Sequence, residues 1–343
     1  MAERLQDIAA RMVTPGKGIL AADESNATCN RRFEALKIPT SADSRRDYRE
    51  MLFSAEEAMR NFVSGVILYD ETIRQKAADG TPLVDVIKKS GAIPGIKVDT
   101  GAKNLALASG ESITEGLDGL RERLAEYYEL GARFAKWRAV INIGPGKPTF
   151  NAIHANAHAL ARYAALCQEA MIVPIVEPEV LMDGDPATHD ADTCYAATEK
   201  TLKEVFNELK IAEVNLRGIV LKPSMVISGK NATKQATPKE VAEKTLRLLR
   251  SVVPAEVPGI AFLSGGQGDV QATEHLSLMN QMGGHPWALT FSYGRALQAE
   301  AMKTWLGKKE NVAAAQKSFL HRVRMNSLAA TGRWAADLEK QAA

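Results

Sequence analysis

The chain has 343 residues, enough for two average domains or for one large α/β barrel. Forty-three Lys and Arg face forty-one Asp and Glu, and a net charge of +2 excludes the basic face that nucleic acid or anionic lipid would need. Cys29, Cys167 and Cys194 are scattered without C-x-x-C spacing, which excludes a disulfide framework or zinc knuckle and fits a reducing cytosol; no window approaches the ~18 apolar residues of a membrane span. A cytoplasmic protein is therefore expected. Along the chain, short apolar runs recur at 18–22, 65–69, 93–98, 134–140, 172–176, 218–221, 259–263 and 287–291. They are apolar on both faces instead of alternating, as parallel strands covered by helices are. Segments 45–61, 116–130, 156–169, 193–209 and 238–252 lie between them and carry amphipathic helical patterns, and 297–330 is helical in pattern too. Strands and helices in this alternation predict a (β/α)8 TIM barrel, one domain over residues 1–343, with a C-terminal helical segment and a short polar tail at 331–343 that is expected to be mobile.

Barrel enzymes place their chemistry at the C-terminal ends of the strands, and here nearly every run ends in charge. Asp23 and Glu24 follow the first, Asp70 and Glu71 the second, Lys97 and Asp99 close the third, and Lys136 and Arg138 belong to the fourth. Glu177 and Glu179 follow the fifth, Lys222 the sixth and Arg295 the eighth. Residues two apart in a strand share a face, so Lys136 with Arg138 and Glu177 with Glu179 converge in pairs. An ion-pair belt closing the barrel mouth accounts for any one of these residues. It accounts less well for the set, because burying so many charges is costly. A lysine held near other cations and partly desolvated favours its neutral amine, which attacks carbonyls to form a Schiff base, and nearby carboxylates can move the protons. Lys222, between an apolar run and Pro223, suits that role.

Ser264-Gly265-Gly266 after the seventh run, and Ser292 and Gly294 before Arg295 at the eighth, suit a phosphate. Glycines admit an anion to the backbone N–H groups, Arg295 adds a charged fork, and these are the loops that usually build phosphate sites in barrels. His154 and His158 are one helical turn apart, but no acidic residue stands between them as in a zinc-protease motif, so no metal site is expected.

At this point the sequence resembles class I fructose-bisphosphate aldolase. The matching blocks run in the family's order: GKGILAADES from Gly16, GIKVD from Gly95, FAKWR from Phe134, IVPIVEPEVL from Ile172, LKP from Leu221, FLSGGQ from Phe262 and WALTFSYGRALQ from Trp287. The resemblance implies reversible cleavage of fructose 1,6-bisphosphate to dihydroxyacetone phosphate and glyceraldehyde 3-phosphate, in glycolysis and gluconeogenesis, with no cofactor or metal. It implies Lys222 as the Schiff-base lysine, Glu177 as proton relay, Asp23 as base toward the carbon-4 hydroxyl, Lys136 as the second lysine, and Glu179, Lys97 and Arg138 as supporting charges. It assigns the dihydroxyacetone phosphate to Ser264, Gly265, Gly266, Ser292, Gly294 and Arg295, and the other phosphate to Ser25, Thr28, Arg31, Arg32 and Arg45. Sugar phosphates are the expected partners, and a homotetramer the expected assembly. The family's usual residues differ at Asn26, Asn30 and Ser224, and the C-terminal tyrosine of the animal enzymes has no counterpart here. The alternatives are another Schiff-base barrel acting on a sugar monophosphate, which would lack a second phosphate pocket, and a non-catalytic scaffold, against which the intact Lys222, Glu177, Asp23 and Lys136 speak.

Overall fold

The computed structural model describes residues 3–184 and 187–340. Ten strands occur among them: β1 Gly18–Ala22, β2 Val63–Leu68, β3 Ile93–Lys97, β4 Gly101–Asn104, β5 Ser112–Glu115, β6 Phe134–Ile141, β7 Val173–Val180, β8 Val220–Leu221, β9 Gly259–Phe262 and β10 Ala288–Tyr293. Eight of them, every neighbouring pair parallel, close a barrel in the order β1-β10-β9-β8-β7-β6-β3-β2. These are the eight apolar runs of the sequence. The remaining two form an antiparallel hairpin, β4 with β5, inserted after β3. Hydropathy gives no sign of β4, because Ala102, Lys103 and Asn104 are all exposed.

The barrel interior is filled by Ile19, Ala21, Ile67, Ile93, Phe134, Val173, Ile175, Val220 and Ala261. Ile8, Ala9 and Met12 of the N-terminal helix Leu5–Met12 join this cluster. Phe134 needs room: a Cβ added at Gly95 would lie 2.3 Å from its ring. The glycine that opens the GIKVD block is thus a packing requirement of the barrel floor. A second, larger core separates the strands from the outer helices.

The outer layer follows the amphipathic pattern with two corrections. Segment 45–61 is two helices, Ala42–Phe53 and Glu56–Phe62, parted at Ser54, whose hydroxyl donates back to the Glu50 carbonyl at 2.6 Å. Segment 297–330 is also two, Arg295–Trp305 and Val312–Ala329, parted where Leu306 and Gly307 turn left-handed at φ 51° and 74°. The 238–252 helix starts on a capping box of Thr237 and Glu240, with Pro238 in its first turn.

The tail, expected to be mobile, makes specific side-chain contacts with the preceding helix. Trp334 is buried and donates its indole N–H to Glu339 at 2.8 Å, while Arg322 and His321 of the preceding helix meet the same carboxylate at 2.6 and 3.1 Å. The polar composition of 331–343 conceals this one aromatic anchor. No helix among the described residues is long and apolar enough to cross a membrane.

Candidate active site

The parallel register delivers the charged residues to one end of the barrel. Lys97 pairs in register with Lys136, Arg138 with Glu177, and Val140 with Glu179. Asp23 follows β1 directly, and Lys222 follows β8, its backbone N–H held by the Val176 carbonyl at 2.8 Å. The side chains meet in a buried chain of ions. Lys222 Nζ lies 3.1 Å from Glu177 Oε1, Glu177 Oε2 lies 3.3 Å from Lys136 Nζ, and Lys136 Nζ lies 2.8 Å from Asp23 Oδ2. Burial works against a charged Asp23, but Lys136 and Lys222 outweigh it and hold the carboxyl at about 2. Burial likewise opposes charge on Lys136, and Asp23 and Glu177 overcome it, so its ammonium is held more firmly than an ordinary lysine's. Glu179 pairs with Arg138, and Lys97 pairs with Asp99 at 2.7 Å.

Two adjoining cavities share Asp23, Glu24, Lys136 and Arg138. The first, of about 470 Å³, is lined by Lys222, Glu177, Glu179, Arg32, Ser264, Gly265, Gly266, Ser292, Gly294 and Arg295. Gly265 and Gly266 both take positive φ, 48° and 81°, and a Cβ at Gly266 would lie 2.3 Å from the Met182 sulfur. This turn requires glycine. The Ser292 hydroxyl is buried without a partner, and Arg295 is exposed with no ion pair among the described residues. The second cavity, of about 500 Å³, is lined by Ser25, Thr28, Lys97, Arg123 and Tyr127. Ser25 caps the Asn26–Ala35 helix and its hydroxyl lies 3.2 Å from that of Thr28.

The arginines expected at the second phosphate, Arg31, Arg32 and Arg45, do not line the second cavity. Arg45 lines neither cavity: it is buried, and its guanidinium grips Glu71 in two hydrogen bonds of 2.7 and 2.6 Å. Asn30 accepts from Arg45 at 2.9 Å and Asn26 donates to Glu71 at 2.9 Å. Two of the unusual residues thereby complete one internal strut to which Arg45, expected at a phosphate, belongs. Arg31 lies outside both cavities, reaching the Thr28 hydroxyl at 3.2 Å. Arg32 borders the first cavity, not the second, and is paired with Glu24 at 2.5 Å. Ser224, the third unusual residue, hydrogen-bonds both the N–H and the carbonyl of Val180 at 3.1 Å and so fastens the end of β7 beside the short β8.

Three residues around the site escaped the sequence reading. Arg49 and Gln298 are buried beneath the end of β1, donating to the Ala22 and Ala21 carbonyls at 3.2 and 2.6 Å and both reaching Glu24. A polar residue on an otherwise apolar helical face is the signal that could have found them. Lys230 lines the first cavity from the loop after β8, and nothing in its sequence surroundings marks it.

Comparison with known proteins agrees with this geometry. The family model described as Fructose-bisphosphate aldolase class-I matches residues 4–343. A Xanthomonas campestris protein named "Probable fructose-bisphosphate aldolase class 1" is 55% identical over 333 residues, covering 97% of this chain and 98% of that protein. "Fructose-bisphosphate aldolase 6, cytosolic" of Arabidopsis thaliana is 50% identical over 337 residues, covering 98% and 93%. The solved fructose-bisphosphate aldolase of Plasmodium falciparum, in complex with TRAP and a small-molecule inhibitor, superposes with a TM-score of 0.94 at 48% identity, covering 97% of this chain and 95% of that one. A parallel eight-stranded barrel with lysines and carboxylates buried at its mouth, matched over nearly its whole length at about half identity, belongs to the class I fructose-bisphosphate aldolase family of lyases.

Proposed function

We propose that the chain cleaves fructose 1,6-bisphosphate reversibly through a Schiff base on Lys222, the step that glycolytic and gluconeogenic flux uses. One observation carries the reading: two buried ammonium groups, Lys222 and Lys136, share the single carboxylate of Glu177 at 3.1 and 3.3 Å. In that arrangement a proton leaving Lys222 has an acceptor beside it, and Lys136 stands on the other side of the same carboxylate. The amine attacks carbon 2 of the open-chain sugar, and Glu177 moves the protons as the carbinolamine loses water. The iminium then accepts the electron pair of the carbon 3–carbon 4 bond while Asp23, held ionised, takes the proton of the carbon-4 hydroxyl. Glyceraldehyde 3-phosphate leaves. The enamine is protonated at carbon 3, and hydrolysis of the imine frees dihydroxyacetone phosphate and the Lys222 amine.

The unpartnered donors Ser292 and Arg295, with the Gly265–Gly266 turn, favour the first cavity for the dihydroxyacetone phosphate group. The other phosphate falls to the second cavity, with Ser25, Thr28 and Lys97. Borohydride reduction in the presence of dihydroxyacetone phosphate, followed by peptide mass mapping, tests the assignment. The adduct is expected on Lys222 alone, and Lys222→Met should lose more than ~10⁴-fold in activity, over about 5 kcal/mol of barrier. An adduct on another lysine, or activity retained in Lys222→Met, contradicts it. Assembly as a homotetramer in the cytoplasm accompanies the proposal, and light scattering of the purified chain checks the assembly.

A further inference from the structure

On the outer layer, away from the barrel mouth, the helices Phe150–Glu169 and Ala191–Ile211 pack against each other. His154 and His158 stand one turn apart on the first, Glu204 and Glu208 one turn apart on the second. His154 Nδ1 lies 2.7 Å from Glu204 Oε1 and 3.6 Å from Glu208 Oε1, and His158 Nδ1 lies 2.9 Å from Glu208 Oε2. One donor atom from each of His154, Glu204 and Glu208 falls within 4.8 Å of the other two.

The charge balance of this cluster is unusual. The Glu208 side chain is only 7% exposed, yet neither it nor Glu204 has a Lys or Arg partner among the described residues. Glu199 on the same helix does find one, in Lys203. Carboxylates one turn apart repel, and a buried carboxylate without a cation is costly. With neutral imidazoles the cluster carries two negative charges, which one divalent ion would cancel. Phe150 stacks on His154 at 5.5 Å between centroids and His154 stacks on His158 at 6.3 Å, which limits the swing of the rings.

We propose that His154, Glu204 and Glu208, with His158 at their side, form a binding site for a divalent transition ion of the zinc type. Imidazole nitrogen with carboxylate oxygen suits Zn²⁺, Co²⁺ or Ni²⁺, whereas Mg²⁺ and Ca²⁺ want oxygen alone. Around a tetrahedral Zn²⁺, neighbouring donors stand ~3.4 Å apart, and the 2.7 and 3.6 Å separations here bracket that spacing. The ion takes the Nδ1 lone pair of His154, so the proton shared with Glu204 moves to Nε2 or to solvent. It braces the helix that follows β6 against the helix that follows β7, and these strands carry Lys136, Arg138, Glu177 and Glu179. The role is structural, because none of the four residues lines either mouth cavity.

The test is titration of the full chain, freed of metal by chelator dialysis, with zinc chloride in a calorimeter. One equivalent per chain is expected, weakened at least tenfold by His154→Ala and by Glu208→Gln. Zinc, and not magnesium, should raise the thermal midpoint of the native chain and leave that of His154→Ala unmoved. His154 is 47% exposed, so its replacement tests the site without threatening the fold. Aldol cleavage by His154→Ala should match the native rate. No bound equivalent, or equal binding by His154→Ala, overturns the proposal.

Discussion

The two ends of the barrel mouth handle charge in opposite ways. Around Lys222 the buried charged groups are already paired: Glu177 serves Lys222 and Lys136, Lys136 serves Asp23, and Lys97 is tied to Asp99. At the Ser264–Gly266 and Gly294–Arg295 loops the donors stand free, with Ser292 buried and unsatisfied and Arg295 unpaired among the described residues. The first arrangement is preorganised for moving protons among fixed groups; the second is left unsatisfied until an anion arrives. The second cavity lies between these extremes, since Lys97 is already tied to Asp99 and Arg123 to the Val98 and Gly116 carbonyls, while Ser25 and Thr28 offer hydroxyls. Specificity for a bisphosphate then rests there on hydroxyls and lysine more than on free guanidinium groups.

Breaking the paired end should have the largest effect. Asp23→Asn keeps the shape but removes the base, and kcat for cleavage is expected to fall ~10²- to 10⁴-fold while trapping of dihydroxyacetone phosphate on Lys222 persists. A fall in trapping equal to the fall in cleavage would place Asp23 in imine formation instead. The same residue makes a pH prediction. Its carboxyl is depressed from 3.8 to about 2, so its contribution to stability is fully present above pH ~4 and is lost as pH falls through about 2. Any acid limb in activity above pH 4 therefore belongs to another group. It should keep its midpoint in the residual activity of Asp23→Asn, as a stopped-assay pH series would record.

Arg45→Ala separates a strut from a ligand. Losing one partner of a nearly buried pair should lower unfolding stability by about 2–3 kcal/mol in denaturant titration, with KM for fructose 1,6-bisphosphate changed less than threefold. A large rise in KM at unchanged stability would return Arg45 to the phosphate site. Trp334→Ala should have the smallest effect on chemistry. Residues 331–340 line neither cavity, so proton exchange at carbon 3 of dihydroxyacetone phosphate, followed by deuterium release, should stay within roughly threefold while the thermal midpoint drops. A hundredfold loss of exchange in equally folded protein would put the tail in the reaction.

The barrel and its charged mouth were legible in the sequence because strands covered on both sides are written as unbroken apolar runs, and a Lys, Asp or Glu at the end of such a run stands out. The β4–β5 hairpin was not, since a polar, exposed strand leaves no hydropathic trace. Nor could the sequence tell whether Arg45 faces a phosphate or a carboxylate. Its partner Glu71 lies 26 residues away, and only folding decides between two acceptors of the same geometry. The His154 cluster escaped for a similar reason: its carboxylates come from the next helix, 50 residues on, not from between the histidines. Trp334 shows the converse, one aromatic residue anchoring a segment whose composition reads as solvent-exposed.

The division of labour between the two ends is tested most directly by the concentration dependence of borohydride trapping with dihydroxyacetone phosphate, measured in Lys136→Met and Arg295→Ala. If Lys136 serves imine chemistry and Arg295 serves capture, Lys136→Met slows adduct formation on Lys222 with half-saturation little changed. Arg295→Ala then raises half-saturation roughly 10- to 100-fold, the loss of one or two charge-assisted hydrogen bonds, and reaches the native trapping rate at saturation. The same defect in both variants, whether in rate or in half-saturation, would contradict the account.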